Sequence, residues 1–146
     1  MEEKLQVLVV DDEADIRGLL RVLLERHGMA VIEAANGRQA ITAIQVHSGL
    51  DLVILDVMMP KCDGVQACSE IRKLSSVPIL FLTARTQEAD MRDAYASGGD
   101  DYLGKPFSQA ELLMKVDSLS RRYRVYKGKL QTQVLPGMIE LCDENH

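Results

Sequence analysis

Acidic side chains stand at the ends of two apolar runs in this sequence. Asp11 and Asp12 follow the run 5–10, and Asp56 closes the run 52–55. If folding brings these carboxylates to one place, they repel one another unless a cation neutralises them. Mg²⁺ suits such a cluster because it prefers oxygen ligands in octahedral geometry. The pattern therefore predicts a magnesium site at these three residues.

A simpler explanation is available for the first acids taken singly. Asp11, Asp12 or Glu13 could cap the positive end of the helix that follows the first run. Capping does not account for Asp56, because an unpaired carboxylate at the end of a buried strand is energetically costly. The metal site explains more of the pattern than capping does.

Two other positions carry groups that suit a phosphoryl group. Thr83 ends a further apolar run, so its hydroxyl and the backbone N–H of Ala84 could donate hydrogen bonds to phosphoryl oxygens. Lys105 precedes Pro106, which disfavours helix at Lys105 and allows a cis peptide bond. A fixed ammonium beside Asp56 would neutralise another oxygen. Each residue taken alone also suits an ordinary strand end or surface position.

The apolar pattern predicts the elements that position these residues. Strands are expected at 5–10, 30–34, 52–55, 78–82 and 102–103, alternating with helices that begin near 12, 37, 64, 88 and 108. We expect Gly28 to end the first helix, and Ser108 to cap a last helix that reaches about Arg122. Strict alternation requires a parallel sheet with helices on both faces. Ligands of such sheets bind beyond the carboxyl ends of the strands, where the acids, Thr83 and Lys105 should meet.

Length and composition restrict the class of protein. A chain of 146 residues with 47% hydrophobic and 27% charged residues suits one globular domain. The net charge of -5 argues against a nucleic-acid surface, which needs clustered Lys and Arg. The N-terminus lacks the pattern of a secretory signal and no apolar run could span a bilayer, so we expect a cytoplasmic location. Without a CxxC spacing, the cysteines are expected to be reduced structural thiols: Cys62, Cys68 and Cys142.

Four segments together resemble the receiver domain of two-component response regulators. They are LVVDDE at 8–13, LDVMMPKCDG at 55–64, LTA at 82–84 and DDYLGKPF at 100–107. The resemblance covers about residues 4–122. It implies an α/β fold with a (βα)5 doubly wound, five-stranded parallel sheet of the flavodoxin-like type, in strand order 2-1-3-4-5.

The resemblance also implies roles for individual residues. Asp56 would be the phosphoacceptor. Asp12 and Asp56 would bind Mg²⁺ directly, Asp11 would act through water, and the backbone carbonyl of Met58 would add a further metal contact.

The same resemblance implies a switch. Thr83 would move toward the phosphate on Asp56, and the ring of Tyr102 would turn inward behind it. Thr83, Ala84 and Lys105 would hold the phosphoryl oxygens. The alternative for Tyr102 is an aromatic side chain that only fills the core.

The end of the chain is similar to one subclass of these regulators. The segments KPFSQAELLMKV at 105–116 and RRYRVYKGK at 121–129 resemble the subclass that is joined to a winged-helix DNA-binding domain. We therefore expect a receiver domain at 1–122, and at 123–146 a linker with the possible start of a missing effector domain. Cys62 departs from the usual turn residue, and Met91 stands where the subclass often has a basic residue of its dimer contact.

The implied activity is phosphoryl transfer from a sensor histidine kinase, or from a small acyl phosphate, to Asp56. The chain would be a phosphoacceptor signalling domain rather than an enzyme, although it would catalyse its own phosphorylation and slow dephosphorylation. Mg²⁺ and Lys105 would offset charge on the transferring group. DNA would be bound only through the effector domain, and no membrane contact is expected.

A charged face is predicted to mediate a homodimer after phosphorylation. Glu111 and Lys115 are four residues apart and share one side of the last helix, and Asp101 lies at the neighbouring strand edge. In a two-fold dimer, Asp101 of one subunit would pair with Lys115 of the other. The alternative is that these charges only solvate the surface.

Three other classes of protein are alternatives to the receiver domain. An aspartate-nucleophile phosphatase would place its nucleophile after the first strand, in a DxDx motif that DDEAD at 11–15 does not match. A flavin-binding module would need a loop of Ser, Thr and Gly there, and acids would repel its phosphate. A degenerate receiver would act only as a protein-binding module, which intact acids, Thr83 and Lys105 argue against.

Overall fold

The computed structural model of this chain describes residues 4–56, 64–83 and 98–133. Its strands are β1 (Gln6–Val10), β2 (Ala30–Ala34), β3 (Leu52–Asp56), β4 (Ile79–Thr83) and β5 (Asp101–Gly104). Its helices are α1 (Ala14–Arg26), α2 (Gly37–Val46), α3 (Gly64–Leu74) and α4 (Gln109–Gln133). The helix predicted from residue 88 lies outside the described residues.

The strands form one parallel sheet in the order β2-β1-β3-β4-β5. This confirms the predicted α/β class and the strand order 2-1-3-4-5. Each crossover between parallel strands places the carboxyl ends of all strands at the same edge of the sheet. We call this the carboxyl edge, and the opposite one, where the strands begin, the amino edge.

Alternate residues of the strands point to opposite faces and build two core layers. One layer packs against α2 and α3 through side chains such as Ala40, Ile44 and Ile71. The other packs against α1 and α4 through side chains such as Leu20, Leu112 and Val116. All five residues of β3 are buried, as a central strand covered on both faces must be.

Local signals fix where the helices begin and end. Gly28 adopts φ 82° just after α1, a conformation that glycine reaches without a Cβ penalty, so its predicted role as a helix stop is confirmed. At the start of α2, the Asn36 side chain accepts a hydrogen bond from the Gln39 backbone at 2.9 Å. At the start of α4, the Ser108 hydroxyl accepts one from the Glu111 backbone at 3.0 Å, which confirms the predicted N-cap.

The end predicted for the last helix, about Arg122, is wrong. α4 is a single helix of 25 residues that ends at Gln133. The sequence 123–133 contains no proline, and its one glycine, Gly128, costs an interior helix only about 1 kcal/mol. Side chains beyond Arg122 also find acceptors elsewhere in the fold, which the sequence pattern could not show.

Two observations bear on the expectations from composition. Within the described ranges, no helix is both long and apolar enough to cross a membrane. Cys68 is a buried thiol that belongs to the core layer of α2 and α3. Cys62 and Cys142 lie outside the described residues.

Candidate functional site

Three carboxylates meet at the carboxyl edge of the sheet. Asp11 directly follows β1 and Asp56 is the last residue of β3, so these neighbouring strands deliver them to the same place. One carboxylate oxygen from each of Asp11, Asp12 and Asp56 lies within 4.8 Å of the others. Asp11 and Asp56 are buried, whereas Asp12 is exposed. The predicted convergence is confirmed, and the metal-binding role of the cluster stays a prediction.

The two oxygens of Asp11 have different partners. Oδ1 accepts a hydrogen bond from the Glu13 backbone at 2.9 Å, and Oδ2 accepts one from Lys105 Nζ at 3.3 Å. The capping alternative is therefore partly met, since Asp11 binds an N–H at the start of α1. Glu13, the N-cap residue itself, makes no side-chain cap hydrogen bond. The Asp11 carboxylate therefore both accepts an N–H at the start of α1 and belongs to the charged cluster.

Lys105 supplies positive charge to this cluster. Its side chain is 16% exposed and forms a salt bridge with Asp11, whose side chain is 1% exposed. The Lys105–Pro106 peptide bond is cis. The sequence placed this ammonium beside Asp56; the structure pairs it with Asp11, a member of the same cluster. Burial strengthens such a pair because little water screens it.

Arg17, which the sequence pattern did not single out, binds the backbone of Asp11. Arg17 Nη1 donates to the Asp11 carbonyl at 2.6 Å, and its Nε donates to Glu33 at 3.1 Å. Glu33 on β2 also accepts from Arg21 Nε at 2.6 Å. The only signal for this network in the sequence is the four-residue spacing of the two arginines on α1, which does not reveal that Glu33 lies opposite.

The network shifts the titration of its members. The hydrogen bond from Arg21 lowers the pKa of Glu33, and the bond from Arg17 adds to that effect against the opposing effect of burial. The hydrogen bond with Glu33 in turn raises the pKa of Arg21. Glu33 is therefore held as a carboxylate, which helps to keep Arg17 in contact with the backbone carbonyl of Asp11.

Several predicted phosphate and metal contacts involve atoms outside the described part of the chain. Thr83 ends β4, where its Cα pairs with Gly104, but its side chain is not among those described. Ala84 and Met58 lie outside the described residues. Their roles stay predictions.

The predicted switch and dimer residues are arranged around β5. Tyr102 is 7% exposed and belongs to the core layer of α2 and α3. Lys115 Nζ lies 3.0 Å from Asp101 Oδ2 within the same chain. This pair was predicted between two subunits, whereas the structure shows the contact within one chain. Glu111 is exposed and accepts from the Ser108 hydroxyl at 3.4 Å.

The donor set of the cluster fits a small divalent cation. Asp11, Asp12 and Asp56 offer hard oxygen ligands, which Mg²⁺ prefers over nitrogen or sulfur. One exposed acid leaves a way in from solvent, and two buried acids hold negative charge where water screens it poorly. Among the described residues, one lysine is paired with this group of three acids, which leaves an excess of negative charge that a cation would offset.

Comparison with known proteins gives a consistent result. A family model described as "Response regulator receiver domain" matches residues 7–117. Transcriptional regulatory protein ResD of Bacillus subtilis is 47% identical over 117 residues, which cover 80% of this chain and 48% of ResD. "Uncharacterized transcriptional regulatory protein YrkP" of the same organism is 44% identical over 142 residues, which cover 95% of this chain and 61% of that protein. The chain thus spans about half to three fifths of the length of these relatives.

Solved structures agree with this match. Chemotaxis protein CheY4 of Vibrio cholerae superposes with a TM-score of 0.76 at 32% identity, covering 80% of this chain and 99% of that one. A two-component response regulator from Clostridium difficile superposes with a TM-score of 0.78 at 32% identity, covering 82% of this chain and 98% of that one. Both similarities extend over nearly the whole of the compared structures.

Proposed function

Because this chain belongs to the response regulator receiver domain family, we propose that it accepts a phosphoryl group on Asp56 and thereby controls transcription. The observation that carries the proposal is the cluster of Asp11, Asp12 and Asp56, whose carboxylate oxygens lie within 4.8 Å of one another. Lys105 forms a salt bridge with its buried member Asp11. A buried nucleophilic carboxylate beside charges of both signs is suited to phosphoryl transfer, where positioning and electrostatics dominate catalysis.

The site residues would act as follows. An oxygen of Asp56 attacks phosphorus, and the bond from phosphorus to the donor's nitrogen or oxygen breaks with its electron pair leaving on the donor. Lys105 offsets negative charge on the transferring group, while the Thr83 hydroxyl and the Ala84 N–H donate to its other oxygens. Later, water attacks phosphorus, and inorganic phosphate leaves as the Asp56 carboxylate is regenerated.

Asp11, Asp12 and Asp56, with the carbonyl of Met58, would hold Mg²⁺ in this proposal. When bound, the ion supplies charge neutralisation that lets an anionic donor approach the carboxylates. Arg17 contributes indirectly, because its bond to the Asp11 carbonyl holds the backbone that carries two of the acids.

The phosphodonor in this proposal is a sensor histidine kinase in the cytoplasm. Phosphorylation would draw Thr83 toward the phosphate and bias the position of Tyr102. Two phosphorylated chains would then form a homodimer through the face that contains Asp101, Glu111 and Lys115. The receiver would occupy 1–122, and 123–146 would lead to a DNA-binding domain beyond this chain.

Acyl-phosphate treatment followed by intact mass measurement tests the proposal. Wild type with acetyl phosphate and Mg²⁺ should gain the mass of one phosphoryl group, and excess chelator should abolish the gain. Asp56→Asn should gain none, whereas Asp117→Asn, a change at a half-buried acid on α4, should behave like wild type.

The outcomes separate the competing classes. If Asp56→Asn is modified as fast as wild type, Asp56 is not the acceptor. Loss of the modification in Asp11→Asn with retention in Asp56→Asn would indicate an aspartate-nucleophile phosphatase. A wild type that is never modified would indicate a degenerate receiver that only binds proteins.

A further inference from the structure

A buried carboxylate at the amino edge of the sheet has no part in the proposed chemistry. Asp51 immediately precedes β3, and its side chain is 1% exposed. It accepts hydrogen bonds from the Gln6 backbone at 2.9 Å and from Arg124 at 3.0 and 3.2 Å. Lys127 Nζ lies 3.5 Å away. Because a buried charge is costly without partners, Asp51 depends on these donors.

The two side-chain donors, Arg124 and Lys127, come from the part of α4 that was predicted to be a linker. Arg124 contacts Asp51 with two nitrogens, a forked geometry that fixes direction as well as distance. Its Nη2 also donates to the Lys4 carbonyl at 2.8 Å. One guanidinium therefore fastens α4 to the chain before β1 and to the chain before β3.

Tyr123, the residue before Arg124, makes a second set of contacts with the domain. Tyr123 packs against the core layer of α2 and α3, although the preceding turns of α4 pack on the opposite layer. Its hydroxyl lies 3.4 Å from the Ser76 hydroxyl, before β4. Lys127 Nζ lies 4.7 Å from the centroid of the Tyr123 ring. The helix therefore stays in contact with the domain where it passes the amino edge.

This segment lies beyond the match to the receiver family and is shared with a longer relative. The family match ends at residue 117. The match to YrkP covers 95% of the 146 residues, which leaves out about 7 residues (5% of 146) and so includes Arg124 and Lys127. The same match covers 61% of YrkP, so that relative is longer than this chain.

We propose that Asp51 fastens residues 123–127 to the receiver, so that α4 is a rigid connector from which the following chain leaves at a fixed position and direction. Part of the basic run at 121–129 is then explained by internal contacts, since Arg124 and Lys127 bind Asp51 and the exposed Arg121 binds Asp117. This use of the charges differs from a nucleic-acid surface, which would leave them facing solvent. The proposal does not depend on phosphorylation.

Hydrogen exchange on the full chain tests the connector. In Asp51→Asn, amides of 123–133 should exchange about tenfold faster or more, because the end of α4 loses the charge that Arg124 and Lys127 bind. Amides of β3 and of β1 beyond Gln6, whose own N–H donates to Asp51, should stay near wild type. Asp117→Asn is the matched control: it removes a half-buried acid that pairs with the exposed Arg121 one turn along the same helix, and should leave this segment unchanged. Brief trypsin treatment gives a second readout, since potential cleavage sites crowd the segment: Arg121, Arg122, Arg124, Lys127 and Lys129.

Arg124→Met and Arg124→Lys keep the test decisive if Asp51→Asn unfolds the domain. Arg124→Met should repeat the selective loss of protection, and Arg124→Lys should restore part of it, because a lysine keeps the charge but not the fork. Unchanged protection of 123–133 in Arg124→Met would overturn the proposal. Equal loss of protection in the core and in the segment would also overturn it, since Asp51 and Arg124 would then serve the fold as a whole.

Discussion

Asp11 and Asp12 are consecutive residues with different environments. Asp11 is buried and already holds Lys105 and the Glu13 N–H, whereas Asp12 is exposed and faces solvent. A cation that enters the cluster from solvent would meet Asp12 without displacing a salt bridge. Removal of the Asp12 carboxylate should therefore change metal affinity alone. Removal of the Asp11 carboxylate should change the local structure as well as the metal affinity.

The first prediction concerns Asp12. Asp12→Asn should weaken Mg²⁺ binding by at least about tenfold with little effect on stability, because the lost carboxylate is a proposed ligand at an exposed position. Isothermal titration with Mg²⁺ measures the affinity. Asp15→Asn is the control, since Asp15 is an exposed acid of the first turn of α1 outside the cluster. Equal losses in the two variants would point to general electrostatic attraction in place of a site.

The second prediction concerns the pH dependence of the Glu33 network. The pKa of Glu33 is lowered in the fold, so its contribution to stability is present above its ordinary value of 4.5 and is lost as pH falls through the lowered folded-state pKa. Glu33→Gln should destabilise the domain at neutral pH by about 1 kcal/mol or less, since the pair is partly exposed.

Urea unfolding of wild type and Glu33→Gln across acidic and neutral pH measures this difference. It should shrink toward zero as the solution is acidified below 4.5. A difference that is constant with pH would show that the substitution acts through packing and not through the charge of Glu33.

At the scale of elements, the sheet was predictable because each strand carries its own signal. Apart from Gln6 and the polar last residues Asp56 and Thr83, the strands β1, β3 and β4 are apolar, which is typical of strands buried on both faces. Gly28 and Ser108 mark helix ends by local chemistry. The end of α4 was not predictable in this way. Its continuation is accompanied by a contact between Arg124 and Asp51, 73 residues earlier in the chain, and no local pattern predicts such a contact.

The third prediction tests the central strand. Leu55→Ala in β3 should destabilise the domain by about 2 to 5 kcal/mol, because it removes a fully buried side chain and leaves a cavity between two helices and the sheet. Val46→Ala, at a side chain that is 68% exposed, should change stability by less than about 0.5 kcal/mol. Urea denaturation of both variants checks this, and similar costs would contradict the layered core described above.

At the scale of the whole molecule, the two ends of β3 serve different tasks. Asp56 lies at the carboxyl edge with the acidic cluster, and Asp51 lies at the amino edge with the end of α4. The sequence located the first site because several strand ends carried matching residue types. It did not locate the second, because one acid and one arginine far apart in the chain carry no motif.

The fourth prediction concerns assembly. With the phosphoryl mimic beryllofluoride and Mg²⁺, wild type should sediment as a dimer. Lys115→Glu should weaken that dimer by about tenfold, because a two-fold interface contains each charge pair twice and exposed pairs contribute about 0 to 1 kcal/mol each. The double variant Asp101→Lys with Lys115→Glu should recover most of the affinity, since it restores opposite charges both within a chain and between chains.

Sedimentation at several protein concentrations shows whether Asp101 and Lys115 pair between subunits or only within one chain. If the single variant dimerises like wild type, the salt bridge between Asp101 and Lys115 serves only the monomer in which it is observed. A wild type that stays monomeric when saturated with the mimic would contradict the proposed dimer.

The unbroken course of α4 to Gln133 also has a geometric consequence for joining this domain to another. In a continuous helix, each residue added or removed turns everything beyond it by about 100° and shifts it by about 1.5 Å. A junction made after Lys127 therefore sets the rotational phase of the attached domain as well as its distance. Insertions of about seven residues, two helical turns, should restore the original phase, whereas insertions of about two should place the attached domain on the opposite side.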